Sequence, residues 1–190
     1  KFIVDAPKEI DGFFAVMNVP PVPPFPEALH FKKVCGIVWC YTGAMEQANE
    51  ILEPLRSYRR PAFEFFVPMP FPMLQGMFDG LLPSGLQWYW KGDFFKELSD
   101  DAIALHVQHA AKLPLGLSTM HLYPVNGAAH KVGKSETPFS YRDAVWSQVI
   151  AGIDPDPANS ASITAWAKDY WAALHPYGMG GAYINFMMEE

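Results

Sequence analysis

The sequence predicts an α+β domain with a mainly antiparallel sheet and with helices packed on one face of that sheet. Helical and strand-like segments alternate, yet most strand-like segments carry large side chains on both faces or on one aromatic face. Two strand-like segments, around Met120 and Trp146, are also neighbours in the order of predicted elements. A sheet covered by helices on one side leaves its other face free for a partner surface.

The individual elements follow from composition and periodicity. The predicted strands cover residues 12–19, 34–41, 63–67, 86–90, 118–123, 144–150 and 182–186, and the predicted helices cover 44–55, 73–78, 100–113 and 160–174. Ser99 is the expected N-cap of the helix that begins at Asp100, because its hydroxyl can accept a hydrogen bond from a free backbone amide of the first turn.

Length and charge limit the classes of function. The chain has 190 residues, 50% of them hydrophobic and 15% aromatic, which fits one domain over residues 1–190 with a substantial core. A formal net charge of −6 argues against a nucleic-acid partner, because phosphate binding needs clustered lysine and arginine. No apolar run reaches the length that spans a bilayer, so no membrane partner is predicted.

The two cysteines, Cys35 and Cys40, lie an odd number of positions apart on one predicted strand. Side chains alternate along a strand, so the two thiols point to opposite faces and a disulfide between them is disfavoured. Buried free thiols are expected, which favours a reducing compartment such as the cytoplasm.

A tyrosine and an asparagine near the carboxyl end form the most site-like pattern. On a strand over 182–186, Tyr183 and Asn185 project from the same face. Gly180 and Gly181 precede them and allow the backbone to turn sharply or to lie close to a flat ligand. The alternative interpretation is a tyrosine–asparagine pair that only supports a sheet edge.

Two further groups of polar and aromatic side chains share strand faces. His121 and Tyr123 project together, and the histidine could assist deprotonation of an alcohol, lower the pKa of a neighbouring phenol, or simply be a satisfied, partly buried side chain. On another strand, Trp88 and Trp90 share one face, while Gln87 and Tyr89, with Lys91, share the other face. They could bind a sugar or an aromatic substrate, or they could be ordinary core.

Other common sites are weak or missing. His106 and His109 have a spacing that could place two ligands on a helix face, but no cysteine or carboxylate cluster accompanies them, so no metal is predicted. The chain has no Gly-x-Ser-x-Gly elbow, no P-loop and no Gly-x-Gly-x-x-Gly motif.

The carboxyl-terminal residues carry a family resemblance. A tryptophan-containing helix, a proline and then Gly-Gly-Ala-Tyr-Ile-Asn-Phe at 180–186 resemble the terminal signature of the berberine-bridge-enzyme-like FAD-linked oxidases, in the vanillyl-alcohol-oxidase superfamily. The segments that extend the likeness in the same order are 38–43, 70–75, 120–127 and 137–143. The likeness is to the substrate domain of that family, and the FAD-binding domain has no counterpart in this sequence.

The resemblance implies FAD as the cofactor, bound mainly by a domain outside this chain, and a small-molecule substrate. It implies that Tyr183 and Asn185 contact the cofactor and that Tyr183 takes a proton from a substrate hydroxyl. His121 and Tyr123 would then stand at the substrate pocket and assist Tyr183 in removing that proton, although His121 departs from the side chains usual in the family. Gln75 joins the candidate substrate-binding residues. The implied reaction oxidises an alcohol, a sugar or a related CH–OH or CH–NH group by hydride transfer to flavin.

We expect this chain to be part of a longer protein, since there is no initiator Met and the chain stops just after the signature. The chain by itself is therefore expected to be inactive. The alternative is a non-catalytic domain that binds a small molecule or a partner on an aromatic sheet face.

Overall fold

The computed structural model describes residues 2–114 and 116–188. The helices are α1 (Phe2–Asp5), α2 (Ala48–Tyr58), α3 (Phe71–Gln75), α4 (Asp100–Ala111), α5 (Ala128–Lys131) and α6 (Ser160–Leu174). The strands are β1 (Ile10–Asn18), β2 (Lys33–Tyr41), β3 (Gln87–Phe95), β4 (Thr119–Pro124) and β5 (Trp146–Asp154). Short 3-10 turns cover Glu27–Leu29, Met45–Gln47, Asp79–Leu81, Pro157–Asn159, His175–Tyr177 and Ile184–Phe186.

The described strands form one sheet in the order β2-β1-β4-β5-β3, and every neighbouring pair is antiparallel. Residues directly opposite each other in such pairs project from the same face. His121 of β4 lies opposite Ala15 of β1 and Val149 of β5. The register therefore determines which side chains share a face across the whole sheet.

Helices cover one of the two faces. α6 packs against β3 and β5, and α4 packs against α6. The side chains between these layers have almost no solvent exposure; they include Phe95, Met120, Ile150, Ala167 and Tyr170. α6 approaches β5 closely because position 152 is a glycine, where a Cβ would lie 2.7 Å from the carbonyl oxygen of Ile163. The predicted α+β class with helices on one face is confirmed.

The histidines of α4 take part in helix packing. The Nδ1 of His106 lies 2.8 Å from the hydroxyl of Tyr170 on α6, and the ring of His109 stacks on the Tyr170 ring at 4.9 Å. Burial lowers the pKa of His106 to about 4 and raises the pKa of Tyr170. No group of three or more possible metal ligands occurs among the described residues.

Two predicted strands are wrong. Residues 63–67 form no strand, and none of the described strands pairs with them. Residues 182–186 form no strand either: the chain runs beside β3 only as far as Gly181 and then makes the turn at Ile184–Phe186. The remaining predicted strands are present with shifted ends.

Other local predictions had mixed outcomes. The hydroxyl of Ser99 accepts a hydrogen bond from the amide of Ala102 at 3.2 Å, as expected for an N-cap. Cys35 and Cys40 are free, as expected, but the prediction that both are buried is wrong: Cys35 is exposed and Cys40 is half-buried. None of the helices in the described parts of the chain is long and apolar enough to cross a membrane.

Candidate functional site

His121 and Tyr123 lie side by side on the face of β4 that faces away from α6. The imidazole Nδ1 is 2.7 Å from the phenol oxygen. The ring of Phe13, on the neighbouring strand β1, lies 4.8 Å from the His121 ring and 5.2 Å from the Tyr123 ring. The prediction that the two polar side chains share a strand face is confirmed, and Phe13 holds both of them in place.

Burial keeps this pair uncharged. Desolvation lowers the pKa of His121 to about 4 and raises the pKa of Tyr123 to about 12. The possibility that His121 lowers the pKa of this phenol is therefore contradicted. At neutral pH the imidazole and the phenol are both neutral, so the pair can exchange hydrogen bonds with a bound molecule without presenting a charge to it.

Tyr183 and Asn185 are also brought together, although not by a strand. The amide Nδ2 of Asn185 donates a hydrogen bond to the Tyr183 hydroxyl at 2.8 Å, across the beginning of the Ile184–Phe186 turn. Tyr183 is 39% exposed, and Asn185 is exposed as well. Both side chains are open to a ligand or a partner.

Phe186 connects the two pairs. Its ring stacks on the ring of Tyr123 with centroids 5.8 Å apart, and it meets the ring of Tyr183 edge-on at 5.3 Å. The backbone at Phe186 lies directly over Gly92 of β3, where a Cβ would be 3.0 Å from the Cβ of Phe186. We call His121, Tyr123, Tyr183, Asn185 and Phe186 the candidate site.

Gln87 and Tyr89 do not lie on the face of the candidate site. The register places them on the helix-covered face, where Tyr89 is 9% exposed and belongs to the same core cluster as Met120. The ammonium group of Lys168 on α6 lies 5.2 Å from the centre of the Tyr89 ring. These contacts make Tyr89 a core residue, so the substrate-binding role predicted for Gln87 and Tyr89 lacks support from this placement.

Tryptophans of β3 occupy the face of the candidate site instead. The indole nitrogen of Trp90 donates to the backbone oxygen of Met187 at 3.4 Å, and the Trp88 ring meets the Trp90 ring edge-on at 5.3 Å. The alternation of side chains in the sequence correctly placed Gln87 and Tyr89 on one face of β3 and the tryptophans on the other. It could not indicate which of the two faces is covered by the helices.

Gln75 is the last residue of α3 and is exposed. Three residues later, the ring of Phe78 lies 6.0 Å from the ring of Phe13, which in turn contacts His121. The segment that carries Gln75 therefore approaches the candidate site through Phe13. No sequence pattern predicted a role in the site for Phe13 or Phe186, although Phe13 belongs to an aromatic pair and Phe186 to the carboxyl-terminal signature.

Comparison with known proteins supports the resemblance. No protein-family profile matches the chain. An FAD-linked oxidoreductase of Dictyostelium discoideum is 28% identical over 142 residues, which are 74% of this chain and 31% of that protein. Berberine bridge enzyme from Eschscholzia californica superposes with a TM-score of 0.76 at 14% identity, over 97% of this chain and 38% of its own.

A second solved structure, BBE-like 1 of Physcomitrella patens, gives a TM-score of 0.71 at 17% identity, over 98% of this chain and 41% of its own. The chain therefore has the fold of one part of the berberine-bridge-enzyme-like proteins, and it spans about a third of the length of the curated relative. The resemblance to berberine-bridge-enzyme-like FAD-linked oxidases is confirmed.

The buried imidazole of His121 makes stability depend on pH. Its folded pKa, about 4, lies below the usual unfolded value of about 6.5, so the unfolded state binds more protons as the pH falls between these values. Stability is therefore lost as the pH drops from about 7 towards 4. We expect His121→Gln to reduce the loss between pH 7 and pH 5 by roughly 1–2 kcal/mol, as measured by urea unfolding at both pH values.

His30→Gln is the matched control, because the imidazole Nε2 of His30 lies 3.0 Å from the backbone oxygen of Phe25 and His30 is not part of the candidate site. The same loss of stability in His121→Gln and in the wild-type chain would show that His121 is not held neutral by burial.

Proposed function

We propose that this chain is the substrate-binding domain of an FAD-linked oxidoreductase that oxidises an alcohol, a sugar or a related CH–OH or CH–NH group. The observation that carries the proposal is the candidate site: two hydrogen-bonded polar pairs on the open sheet face, joined through Phe186. The FAD-linked relative and the shared fold support the class of cofactor.

The described residues fit contact with a flavin. The Asn185 amide uses one N–H for Tyr183, and an amide of this kind has a second N–H and a carbonyl oxygen to offer. Both side chains are exposed, and the Phe186 ring behind them supplies a flat apolar surface. Tyr183 and Asn185 would be the cofactor contacts from this chain, while a separate FAD-binding domain would hold most of the FAD.

A long apolar segment beside the candidate site is suited to contact with the FAD-binding domain. Several large side chains between residues 65 and 82 are exposed, namely Phe65, Phe66, Val67, Phe71, Met73, Met77, Phe78 and Leu82. Apolar patches of this kind on a soluble domain mark interfaces. Because Phe78 of this segment contacts Phe13, we propose that the FAD-binding domain docks next to the candidate site.

The chemistry assigned to this chain is proton handling and substrate placement. Bound FAD would supply the acceptor for a hydride at its N5 position. Tyr183 would take the proton of the substrate hydroxyl as a phenolate and become a neutral phenol, and the hydrogen bond donated by Asn185 would favour the phenolate that this step requires. The neutral His121–Tyr123 pair would orient the substrate through hydrogen bonds.

The absorption spectrum of the full-length protein tests the proposal. We expect flavin bands in the near-ultraviolet and blue, and bleaching of the blue band when a suitable alcohol or sugar is added without oxygen. The 190-residue chain alone is expected to be colourless and inactive, because it offers only one side of the flavin site. A colourless full-length protein would refute the oxidoreductase and favour the binding domain.

A further inference from the structure

A buried carboxyl group and a half-exposed histidine form a hydrogen-bonded pair outside the candidate site. The Oδ2 of Asp93, on β3, lies 2.7 Å from the Nδ1 of His175, which follows α6 directly. The Asp93 side chain is 2% exposed and the His175 side chain 41%. The pair therefore ties the end of α6 to the edge strand of the sheet.

Aromatic and charged neighbours surround this pair. The Trp171 ring of α6 stacks on the His175 ring at 4.3 Å, and its indole nitrogen donates to the Gly92 oxygen at 3.1 Å. The ammonium of Lys91, on β3, lies 4.5 Å from the Trp171 ring, and Lys168 of α6 repels that ammonium. The imidazole is thus held between a flat ring and a carboxylate.

The backbone after His175 is attached to β3 at the same point. Gly178 lies so close that a Cβ there would be 2.7 Å from the Oδ1 of Asp93. The Met179 amide donates to the Phe94 oxygen at 2.8 Å, and the Phe94 amide donates to the Gly181 oxygen at 3.1 Å. Two residues beyond this attachment, the chain reaches Tyr183.

We propose that the Asp93–His175 pair positions Tyr183 and Asn185 by locking residues 178–181 against the edge of β3. The two backbone hydrogen bonds at Met179 and Gly181 hold this short segment only weakly. The bond between His175 and the Asp93 carboxyl group, at the start of the segment, further restricts the path of the residues up to Asn185. A role in catalysis would rest on the function proposed above. The positioning itself is a property of this chain without flavin.

The energetics favour placement over stability. Burial raises the pKa of Asp93, and the contact with His175 opposes that increase only in part. An ionised Asp93 therefore costs free energy, which offsets much of what its contact with His175 contributes to stability. What the pair provides is a directional contact that apolar side chains of similar size cannot give.

NMR of the isotopically labelled 190-residue chain tests the proposal. In His175→Ala we expect the Asn185 side-chain amide signals to move towards free-solvent values and the Met179 amide to exchange at least about tenfold faster. His175→Asn places an amide N–H where the Nδ1 stood and is expected to restore both signals. Asp93→Asn keeps the shape but removes the charge, and should show part of the loss.

His30→Ala is the control, since His30 lies just before β2, the edge strand opposite β3, and its ring contacts the Phe25 oxygen and the Phe31 ring. Circular dichroism of each variant establishes that the sheet is intact. Unchanged Asn185 and Met179 signals in both His175→Ala and Asp93→Asn would overturn the positioning role. If these signals change as expected but the full-length protein binds no flavin, the positioning stands and the proposed function fails.

Discussion

Tyr183→Phe in the full-length protein is expected to slow substrate-dependent flavin reduction by about 10²–10⁴-fold, the usual contribution of a positioned general base. The substitution removes the phenol oxygen that accepts the hydrogen bond from Asn185 and leaves the ring against Phe186. Flavin content should therefore stay the same while the rate falls. Anaerobic stopped-flow absorbance of the blue flavin band measures this rate directly.

Tyr177→Phe is the matched control for this experiment. Tyr177 is 40% exposed, almost the same as Tyr183 at 39%, and lies six residues earlier in the same carboxyl-terminal part of the chain. Its loss of a hydroxyl should leave the rate of flavin reduction unchanged. Equal rates for Tyr183→Phe and the wild-type protein, at equal flavin content, would remove Tyr183 from the proton transfer.

Phe95→Ala is expected to destabilise the chain by about 3–5 kcal/mol, the range for truncating a buried phenylalanine. Phe95 has no solvent exposure and lies in the core cluster between the sheet and α6, together with Met120 and Tyr170. The substitution leaves a cavity that these close-packed neighbours cannot fill completely. Urea unfolding followed by circular dichroism measures the change in the free energy of unfolding.

Phe71→Ala provides the comparison, because Phe71 is 67% exposed. Its effect on the isolated chain should stay within about 0.5 kcal/mol, as for surface substitutions without special contacts. A change below about 1 kcal/mol for Phe95→Ala would contradict the placement of the core on this face of the sheet.

Local patterns predicted much of the fold because they are set by neighbouring residues. α6 has the bounds predicted from its periodicity, and the cap at Ser99 was expected from the acidic first turn that follows it. His121 and Tyr123 share a face because alternation is a property of any strand. The apolar composition of 63–67 was misleading, since a strand also needs a pairing partner and none of the described strands pairs with this segment.

The sequence predicted part of the candidate site correctly, but it predicted the wrong local structure for the residues that form it. Tyr183 and Asn185 do lie together, but a hydrogen bond across a turn brings them together, not the alternation of a strand. Phe186 and Phe13 are essential to the geometry, yet their contacts join segments that are far apart in the sequence. The two faces of β3 could be separated from the sequence, but not assigned to helix or solvent.

The amino-acid pattern by itself determined the α+β class, the main helices and the identity of the residues with reactive side chains, because these depend on nearby residues and on composition. The tertiary structure alone decided that Tyr89 is core, that His121 and Tyr123 are neutral, and that Phe186 joins the two polar pairs. Burial and stacking arise from the packing of distant segments, and no short stretch of sequence contains that information.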